Sequence, residues 1–256
     1  VRPLERRSGG GGSDMGVRGK VRVAVVLALL STAPVSPAGA TVAPGSLDPT
    51  FDGDGVVEVA GERPLVTGTI FQLAVDAGGS AFVASGLYSG SDDALLTKLD
   101  PSGAVDPTFG DLGSIRVYTG DAYPPVTGLS PSPGGAVLLA FGRTAGALER
   151  RTSDGALDPT FGTDGRRTDL ARASSITVTP GGIVFVHDGK LRRITNDGSD
   201  DPTFGTNGVA VRPRNVDAVA VLTDGRLAAA MPSWPDDDSI AVLTPDGATD
   251  PSFGDD

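Results

Sequence analysis

The amino-acid sequence predicts an all-β fold built from repeated antiparallel sheets, and three observations support this prediction. Glycine and proline are abundant, with 37 and 20 residues among 256, which indicates many turns and few helices. A short motif centred on Asp-Pro-Thr-Phe recurs along the chain. Between its copies lie short β-prone runs separated by turns, and no long window shows a helical period.

The motif occurs five times, and we number its copies from first to fifth. They occupy residues 47–55, 105–113, 157–165, 200–208 and 249–256. Their aspartates are 58, 52, 43 and 49 residues apart. The copies therefore delimit four repeat units, approximately 47–104, 105–156, 157–199 and 200–248, with a partial fifth motif at 249–256.

Each unit contains four short runs in the same order. In the first unit they read VVEVA, FQLAV, AFVASG and ALLTKL, with turns rich in Gly, Asp and Pro between them. Four short strands in about 50 residues are typical of one β-propeller blade, and a blade must stack on its neighbours to cover its apolar faces. We therefore predict a β-propeller of about four four-stranded blades, either closed on itself or part of a larger propeller. A β-solenoid is disfavoured because its coils are shorter and more regular.

Closure makes a geometric prediction. If the four units form a ring, the fifth motif should lie close to the opening strand of the first unit.

The motif and the Asp-Gly turns resemble the delta-60 repeat family of secreted bacterial proteins. The resemblance covers residues 45–256 and implies a β-propeller-like fold without an established activity. A basic residue five positions before the turn glycine is also similar to the family's pattern; it is present as Lys98, Arg150 and Arg193 and replaced by Val242 in the fourth unit. The other departures from the motif are Asp52 in the first copy, and Thr249 and Ser252 in the fifth.

Each motif residue type has a predicted structural role. The aspartate accepts backbone N–H groups of its own turn, the proline ends a strand ladder, the phenylalanine packs between adjacent blades, and the glycine permits an unusual backbone angle. The residues concerned are Asp48, Pro49, Phe51, Asp106, Pro107, Phe109, Asp158, Pro159, Phe161, Asp201, Pro202, Phe204, Asp250, Pro251 and Phe253, with Gly110, Gly162, Gly205 and Gly254. The alternative is a ring of carboxylates that binds metal or sugar. Repetition in every unit favours the structural role.

The N-terminal region has the features of an export signal. Basic residues precede a short apolar run in residues 15–40, and Ala38-Gly39-Ala40 is typical of a signal-peptidase site. We predict an upstream disordered extension (1–14), a signal peptide (15–40) cleaved after Ala40, and a propeller domain (41–256). The chain would then be secreted, extracellular or on the cell surface, without a membrane span and as a monomer. The alternative is an uncleaved N-terminal anchor.

Composition excludes several classes of site. The chain has no cysteine, so it has no disulfide, thiolate metal site or cysteine nucleophile. Beyond residue 40 the sequence carries 15 basic and 30 acidic side chains, a net charge of −15. Such a charge disfavours nucleic acid as a partner.

No metal or other cofactor is expected, and two acidic clusters are the weak candidates for calcium. One contains Asp52 and Asp54; the other contains Asn196, Asp197, Asp200 and Asp201. Neither has the spacing of an EF-hand loop with its closing glutamate. Carboxylates that cap turns are the expected alternative.

The candidate ligand contacts lie where the units differ. Trp234 is followed by Asp236 and Asp237, and the matching hairpin of the first unit carries Tyr88. An aromatic ring beside carboxylates could stack on a sugar or contact a protein, and the alternative is an ordinary loop. His187, the only histidine, lacks the partners of a catalytic triad.

Three arginine pairs, Arg150/Arg151, Arg166/Arg167 and Arg192/Arg193, could form an anion-binding patch. Alternatively, strand alternation sends one arginine of each pair to solvent and lets the other pair with a motif aspartate.

These observations predict no catalytic residues and a non-enzymatic scaffold or recognition module that binds an unknown protein or glycan through its loops. The alternatives are a propeller-type carbohydrate-active enzyme and a structural surface repeat without a ligand. For the enzyme, two or more carboxylates and a basic residue from different blades should converge at the mouth of the central channel.

Overall fold

A computed structural model describes residues 22–24, 47–58, 70–86, 93–118, 126–141, 146–170, 173–213, 215–232 and 239–254. Within these ranges the chain forms β-strands and one short 3₁₀ helix, Pro133–Gly135, and no α-helix. Consequently, no helix in the described ranges has the length and apolar character needed to cross a bilayer.

The strands form four consecutive antiparallel sheets and one short N-terminal pair. Sheet I contains β3 (Ile70–Val75), β4 (Ala81–Gly86), β5 (Asp93–Leu99) and β6 (Ser114–Tyr118). Sheet II contains β7 (Val126–Ser132), β8 (Ala136–Phe141), β9 (Ala147–Arg151) and β10 (Arg166–Arg167). Sheet III contains β11 (Ala173–Thr179), β12 (Gly182–His187) and β13 (Lys190–Ile194). Sheet IV contains β14 (Ala218–Val221), β15 (Leu227–Met231) and β16 (Ser239–Leu243).

The sheets follow one another as propeller blades do. Strands within a sheet pair with their sequence neighbours, and the first strand of each sheet contacts the first strand of the next: β3 with β7, β7 with β11, and β11 with β14. This arrangement confirms the predicted all-β, propeller-type fold. The four described sheets do not close into a ring.

The sheets are offset by one strand from the predicted sequence units. The second motif joins β5 to β6, and β6 pairs back onto β5 with Ser114 opposite Thr97. The third motif likewise joins β9 to β10. These two motifs therefore lie inside a sheet, between its third and fourth strands. In both copies the run after the motif completes the preceding sheet, whereas the sequence units place that run first in the following unit.

The predicted four strands per sheet are found in sheets I and II. In sheet III the fourth strand is reduced to a bridge between Val209 and Arg192, after which Pro213 cannot donate to a ladder. In sheet IV the described residues provide three strands.

Three apolar clusters fill the spaces between successive sheets. Each cluster combines side chains of both sheets with one motif phenylalanine: Phe109 between sheets I and II, Phe161 between II and III, and Phe204 between III and IV. All three rings are fully buried. The core is therefore divided into layers between the sheets, with a motif ring in each layer.

The N-terminal pair consists of β1 (Arg22–Ala24) and β2 (Val56–Glu58), which run antiparallel with Val23 opposite Val57. Strand β1 falls within the predicted signal peptide. The remaining residues of 1–46 lie outside the described ranges, and cleavage after Ala40 stays a prediction.

Candidate functional site

Every motif is a self-capped turn. In the third copy, Asp158 Oδ1 accepts the Thr160 N–H at 2.9 Å and the Thr160 hydroxyl at 2.6 Å. The other four copies repeat both bonds, with Ser252 replacing threonine in the fifth. Because Thr50 donates to the Asp48 carboxylate from its hydroxyl and its backbone, the pKa of Asp48 lies below its ordinary value. The carboxylate thus fixes the turn.

A basic side chain from the third strand anchors each described motif aspartate of sheets I to III. The ion pairs are Lys98–Asp106 at 2.9 Å, Arg150–Asp158 at 2.7 Å and Arg193–Asp201 at 2.5 Å. In sheet IV, where Val242 stands in the basic position, Arg226 Nη1 donates to Asp250 Oδ2 at 2.7 Å. The anchor is therefore retained from the turn that precedes β15, although its sequence position is lost.

The second, third and fourth motifs also bind the next sheet. The Gly162 N–H donates to the Asp197 carbonyl oxygen at 2.7 Å, and Gly110 and Gly205 make the same bond to Asp154 and Asp246 at 2.8 Å. The accepting carbonyl always lies in the Asp-Gly turn that ends the third strand of the following sheet. The motif therefore connects two sheets through its glycine N–H.

The arginines extend this connection. Arg150 donates to the Asn196 carbonyl oxygen in sheet III, and its guanidinium carbon lies 5.1 Å from the centre of the Phe161 ring. Arg193 donates to the Pro245 carbonyl oxygen at 2.6 Å and lies 4.8 Å from the centre of the Phe204 ring. One guanidinium thus holds its own motif aspartate, the motif ring and the next sheet.

The motif glycine is required by geometry. Gly162 has φ +57°, and a β-carbon there would lie 2.2 Å from the Arg166 carbonyl oxygen. Gly110 and Gly205 are alike, with φ +61° and +55° and a carbonyl oxygen at 2.4 and 2.1 Å. Asp52 adopts φ +48° at the same position of the first motif, and aspartate is one of the few residues that tolerate this conformation.

The first motif occupies the turn of sheet I that a fifth motif would need for closure. The Asp52 N–H donates to the Ser102 carbonyl oxygen at 2.6 Å, and Phe51 lies against Gly103. At the other end, the Phe253 side chain is 49% exposed. The meeting of the fifth motif with the first unit, which closure of the four units would require, does not occur, because the first motif already fills the receiving turn.

The weak calcium candidates have partners within the protein. Asp54 accepts the Val56 N–H at 2.9 Å, Asp197 accepts the Ser199 N–H at 3.0 Å, and Asp200 accepts Arg167 Nη2 at 3.0 Å. Across the described ranges, no group of three His, Cys, Asp or Glu side chains is placed to hold a metal ion. Asp52 contributes its backbone N–H to the sheet I turn, as described above.

The expected alternation of the arginine pairs holds only in part. Arg150 and Arg193 do pair with motif aspartates, but Arg151 is not sent to solvent. It pairs with Glu149, a fully buried carboxylate that also accepts Arg166 Nε at 2.7 Å. Sequence reasoning missed Glu149; its position directly opposite Arg166 on β9 and β10 was the available signal.

A second arginine cluster joins sheets II and III. Arg167 binds both oxygens of Asp169 at 2.8 and 2.9 Å, reaches Asp200, and donates to the Gly198 carbonyl oxygen at 2.7 Å. The hydrogen bonds to the Asp169 carboxylate raise the pKa of Arg167 above its ordinary value. This arginine is a structural link between two sheets.

A cavity of about 590 Å³ that is open to solvent lies between sheets III and IV, and we call it the hairpin-side cavity. Its lining consists of Ser174, Val186, Asp188, Gly189, Val216 and Asp217. Its volume falls within the range of small-molecule sites.

The hairpin-side cavity is formed beside a short turn. Strands β12 and β13 are joined by Asp188 and Gly189 alone, with φ +49° and +69°, as in a two-residue hairpin with a type I′ turn. In sheets I, II and IV the corresponding connections are residues 87–92, 142–146 and 232–238. The connection in sheet III is therefore the shortest of the four in number of residues.

Backbone bonds hold the cavity walls in place. The Val216 N–H donates to the Gly189 carbonyl oxygen at 3.0 Å, and the Asp217 N–H donates to the Ala230 carbonyl oxygen at 2.9 Å. Deeper between the sheets, the Val219 N–H donates to Ser175 Oγ at 2.8 Å. His187 precedes the hairpin, with its ring 6.4 Å from that of Phe185, and is not part of the lining.

Sequence reasoning did not identify the cavity residues Ser174, Asp188 and Asp217. The signal was the 43-residue unit, the shortest of the four. The predicted ligand contacts Trp234, Tyr88, Asp236 and Asp237 lie outside the described residues.

A smaller cavity of about 360 Å³ lies at the opposite end of the junction between sheets III and IV. We call it the motif-side cavity. Its lining consists of Thr203, Gly205, Val211, Arg212, Asp246, Gly247, Ala248 and Thr249.

No protein-family model matches the sequence, and no curated protein matches it. Among solved structures, the chain is similar to the PQQ-bound aldose sugar dehydrogenase of Streptomyces coelicolor, with 17% identity, TM-score 0.47, and coverage of 71% of this chain and 61% of that one. It is also similar to a protein of unknown function from Bacteroides caccae (15%, TM-score 0.45, coverage 75% and 62%) and to virginiamycin B lyase of Staphylococcus aureus (18%, TM-score 0.43, coverage 72% and 56%). The chain spans less than two thirds of each of these proteins, and likeness of this degree carries no argument about activity.

Proposed function

We propose that the chain is a secreted, non-enzymatic recognition module that binds a glycan or protein through the hairpin-side cavity. The observation that supports this proposal most is the position of the cavity. It lies where the third unit departs from the repeat, whereas the motif residues are occupied in holding the sheets together.

The chemistry of the cavity suits a polar ligand with an apolar face. Asp217 offers carboxylate oxygens, Ser174 offers a hydroxyl, and Val186 and Val216 offer apolar surface. A sugar ring or a polar side chain of a protein presents the matching hydroxyl or amino groups and carbon surface. The fixed backbone around the cavity lowers the entropy cost of binding, as preorganised sites do.

A glycan and peptide array probed with the purified protein tests the proposal. We expect binding that is lost in Asp217→Asn and retained in the control variant Asp224→Asn, which changes an exposed carboxylate in a sheet IV turn at the opposite end. Trp234→Ala tests the separate prediction that this aromatic side chain contributes. Absence of binding to every glycan and peptide would contradict the proposal and favour a structural repeat.

A carbohydrate-active enzyme is the second candidate, and one observation favours it. Asp188 and Asp217 come from different sheets and line the same cavity. This meets one part of the sequence prediction for an enzyme, namely that carboxylates from different blades should lie together. Glycosidases use two such carboxylates. Hydrolysis of array glycans by the protein, abolished in both Asp188→Asn and Asp217→Asn, would establish this candidate over the binding module.

A further inference from the structure

The row of four sheets has two end faces. Each sheet has a trailing face, which packs on the next sheet, and a leading face, which packs on the previous one. In the described ranges no further sheet covers the trailing face of sheet IV. On the leading face of sheet I lie strand β2 and the first motif, in place of a complete sheet.

The trailing face of sheet IV carries apolar residues at positions that the other sheets bury. Two positions before the anchor site of the third strand, the four sheets have Leu96, Leu148, Leu191 and Ile240. The three leucines are fully buried, whereas Ile240 is 63% exposed. The motif ring shows the same contrast, because Phe253 is 49% exposed and the rings at the three internal junctions are fully buried. This face therefore has the composition of an internal junction without its neighbour.

The leading face of sheet I has the features that receive a neighbour elsewhere. Leu73 lies opposite Val83 in sheet I, as Leu129 lies opposite Leu139 in sheet II. Leu129 is buried between sheets I and II, whereas Leu73 is 39% exposed. The turn that receives a motif has the same backbone in all four sheets, with φ between +87° and +89° at Gly103, Gly155, Gly198 and Gly247.

The first motif fills the sheet I turn less completely than the motifs at the internal junctions. Its ring, Phe51, is only partly buried. It has Asp52 where the fifth motif has Gly254, and a left-handed backbone is less favourable for aspartate than for glycine. The aspartate of the fifth motif is anchored by the Arg226–Asp250 ion pair at 2.7 Å. The fifth motif is therefore the better fit to this turn.

We infer that two copies of the chain join end to end, with the trailing face of sheet IV of each copy on the leading face of sheet I of the other. The same two kinds of face meet at the three junctions within one copy, so the contact continues an interface that the chain already forms three times. In it the fifth motif takes the place of the first motif. Phe253 packs against Gly103 of the other copy, and Ile240 and Leu73 enter one apolar layer.

Two copies complete the ring that one copy leaves open. A head-to-tail contact either closes into a ring or continues into a filament. Typical propellers have four to eight blades, and two copies of four sheets reach the upper end of that range. The pair is the larger propeller that the sequence left open, and it differs from the monomer expected there. The contact does not involve the hairpin-side cavity, so the inference is independent of the function proposed above.

Sedimentation equilibrium of the full chain over a range of concentrations tests the inference. We expect the mass to rise from one chain, 25.7 kDa, to two chains and no further. The dissociation constant is expected in the micromolar range, because displacement of the first motif weakens the apparent affinity. Below that concentration single copies prevail.

Ile240→Asp and Leu73→Asp test the two faces separately. Each places a charge in the proposed apolar layer and should raise the dissociation constant about tenfold or more. Both side chains are exposed in the single copy, so each variant should keep the circular dichroism spectrum and thermal midpoint of the natural protein at low concentration.

Mixing these two variants tests the direction of the contact. The Leu73→Asp copy keeps its sheet IV face and the Ile240→Asp copy keeps its sheet I face, so the mixture should form pairs more readily than either variant alone. Phe51→Ala weakens the competing first motif and should lower the dissociation constant severalfold.

Leu112→Asp is the matched control. Leu112 is 74% exposed and lies in the second motif, between sheets I and II, and the first and third motifs have Asp54 and Asp164 at its position. This variant should leave the dissociation constant unchanged. A mass of one chain at every concentration, growth beyond two chains, or a pair unaffected by Leu73→Asp would overturn the inference.

Discussion

Arg193 and Asp201 form an ion pair at the junction of sheets III and IV, with Nε 2.5 Å from Oδ2 and both side chains less than a tenth exposed. The same guanidinium donates to the Thr203 hydroxyl at 3.0 Å and to the Pro245 carbonyl oxygen of sheet IV. One buried cation therefore satisfies a motif carboxylate, a motif hydroxyl and a backbone group of the next sheet. This arrangement predicts that either partner is costly to remove alone.

Removal of either partner alone should destabilise the protein, and the two losses should not add in the double variant. Arg193→Met leaves a buried carboxylate without its cation, and Asp201→Asn leaves a buried guanidinium without its anion. Breaking a buried pair in this way typically costs about 3–5 kcal/mol. We expect each single variant to lose a free energy of unfolding of this order in urea denaturation, and the double variant to lose less than the sum. Strict additivity would show that the two residues do not act as a pair.

The motif aspartates should make stability depend on pH in the acid range. The Thr108 hydroxyl, followed by Lys98, lowers the pKa of Asp106 to about 2. Because the folded-state pKa lies below the unfolded value of about 3.9, the stabilisation is present above pH 4 and is lost as the pH falls toward 2. Asp106→Asn should therefore have a lower thermal midpoint than the natural protein at pH 7 and the same midpoint near pH 2.

Lys98→Met provides the matched comparison for this pH dependence. This variant removes the Lys98 ammonium group, which lowers the pKa of Asp106, and keeps the hydrogen bonds from Thr108. The difference in thermal midpoint between pH 7 and pH 2 should therefore be smaller in Lys98→Met than in the natural protein. A pH-independent difference between Asp106→Asn and the natural protein would contradict this account.

Two glycines with similar backbone angles should respond differently to alanine. Gly134 has φ +76° with no atom within 4 Å of an added β-carbon, whereas Gly162 has φ +57° with the Arg166 carbonyl oxygen 2.2 Å from it. Gly134→Ala should cost about 1–2 kcal/mol, the strain of the left-handed conformation alone. Gly162→Ala should cost clearly more, because the backbone must also move. Equal losses in denaturant titrations would show that the contact at Gly162 relaxes freely.

Much of the architecture could be predicted from the repeat, because its residues have local roles. Asp158 needs only Thr160 to form its turn, and Gly162 needs only the following strand to require a positive φ. The offset of the sheets could not be read from the repeat. A repeating pattern does not show whether the run after Phe109 pairs with the strand before it or with the strand after it. In the structure this run, β6, pairs with the preceding strand, β5.

The candidate sites were harder to predict because they depend on contacts between units. Arg226, in the turn before β15, replaces the anchor lost at Val242, and no spacing within one strand reveals that. Glu149 is satisfied by Arg151 and Arg166, and its burial becomes evident only when β9 and β10 are paired.

The central claim of this account is that the motif phenylalanine holds successive sheets together, and the chain provides its own control. Phe161 is fully buried between sheets II and III, whereas Phe253 stands in the same motif position and is 49% exposed. The direct measurement is the free energy of unfolding of Phe161→Ala and Phe253→Ala in urea. We predict a loss of about 3–5 kcal/mol for Phe161→Ala, as for other buried phenylalanines, and about 1 kcal/mol or less for Phe253→Ala. Equal losses for the two variants would contradict the claim.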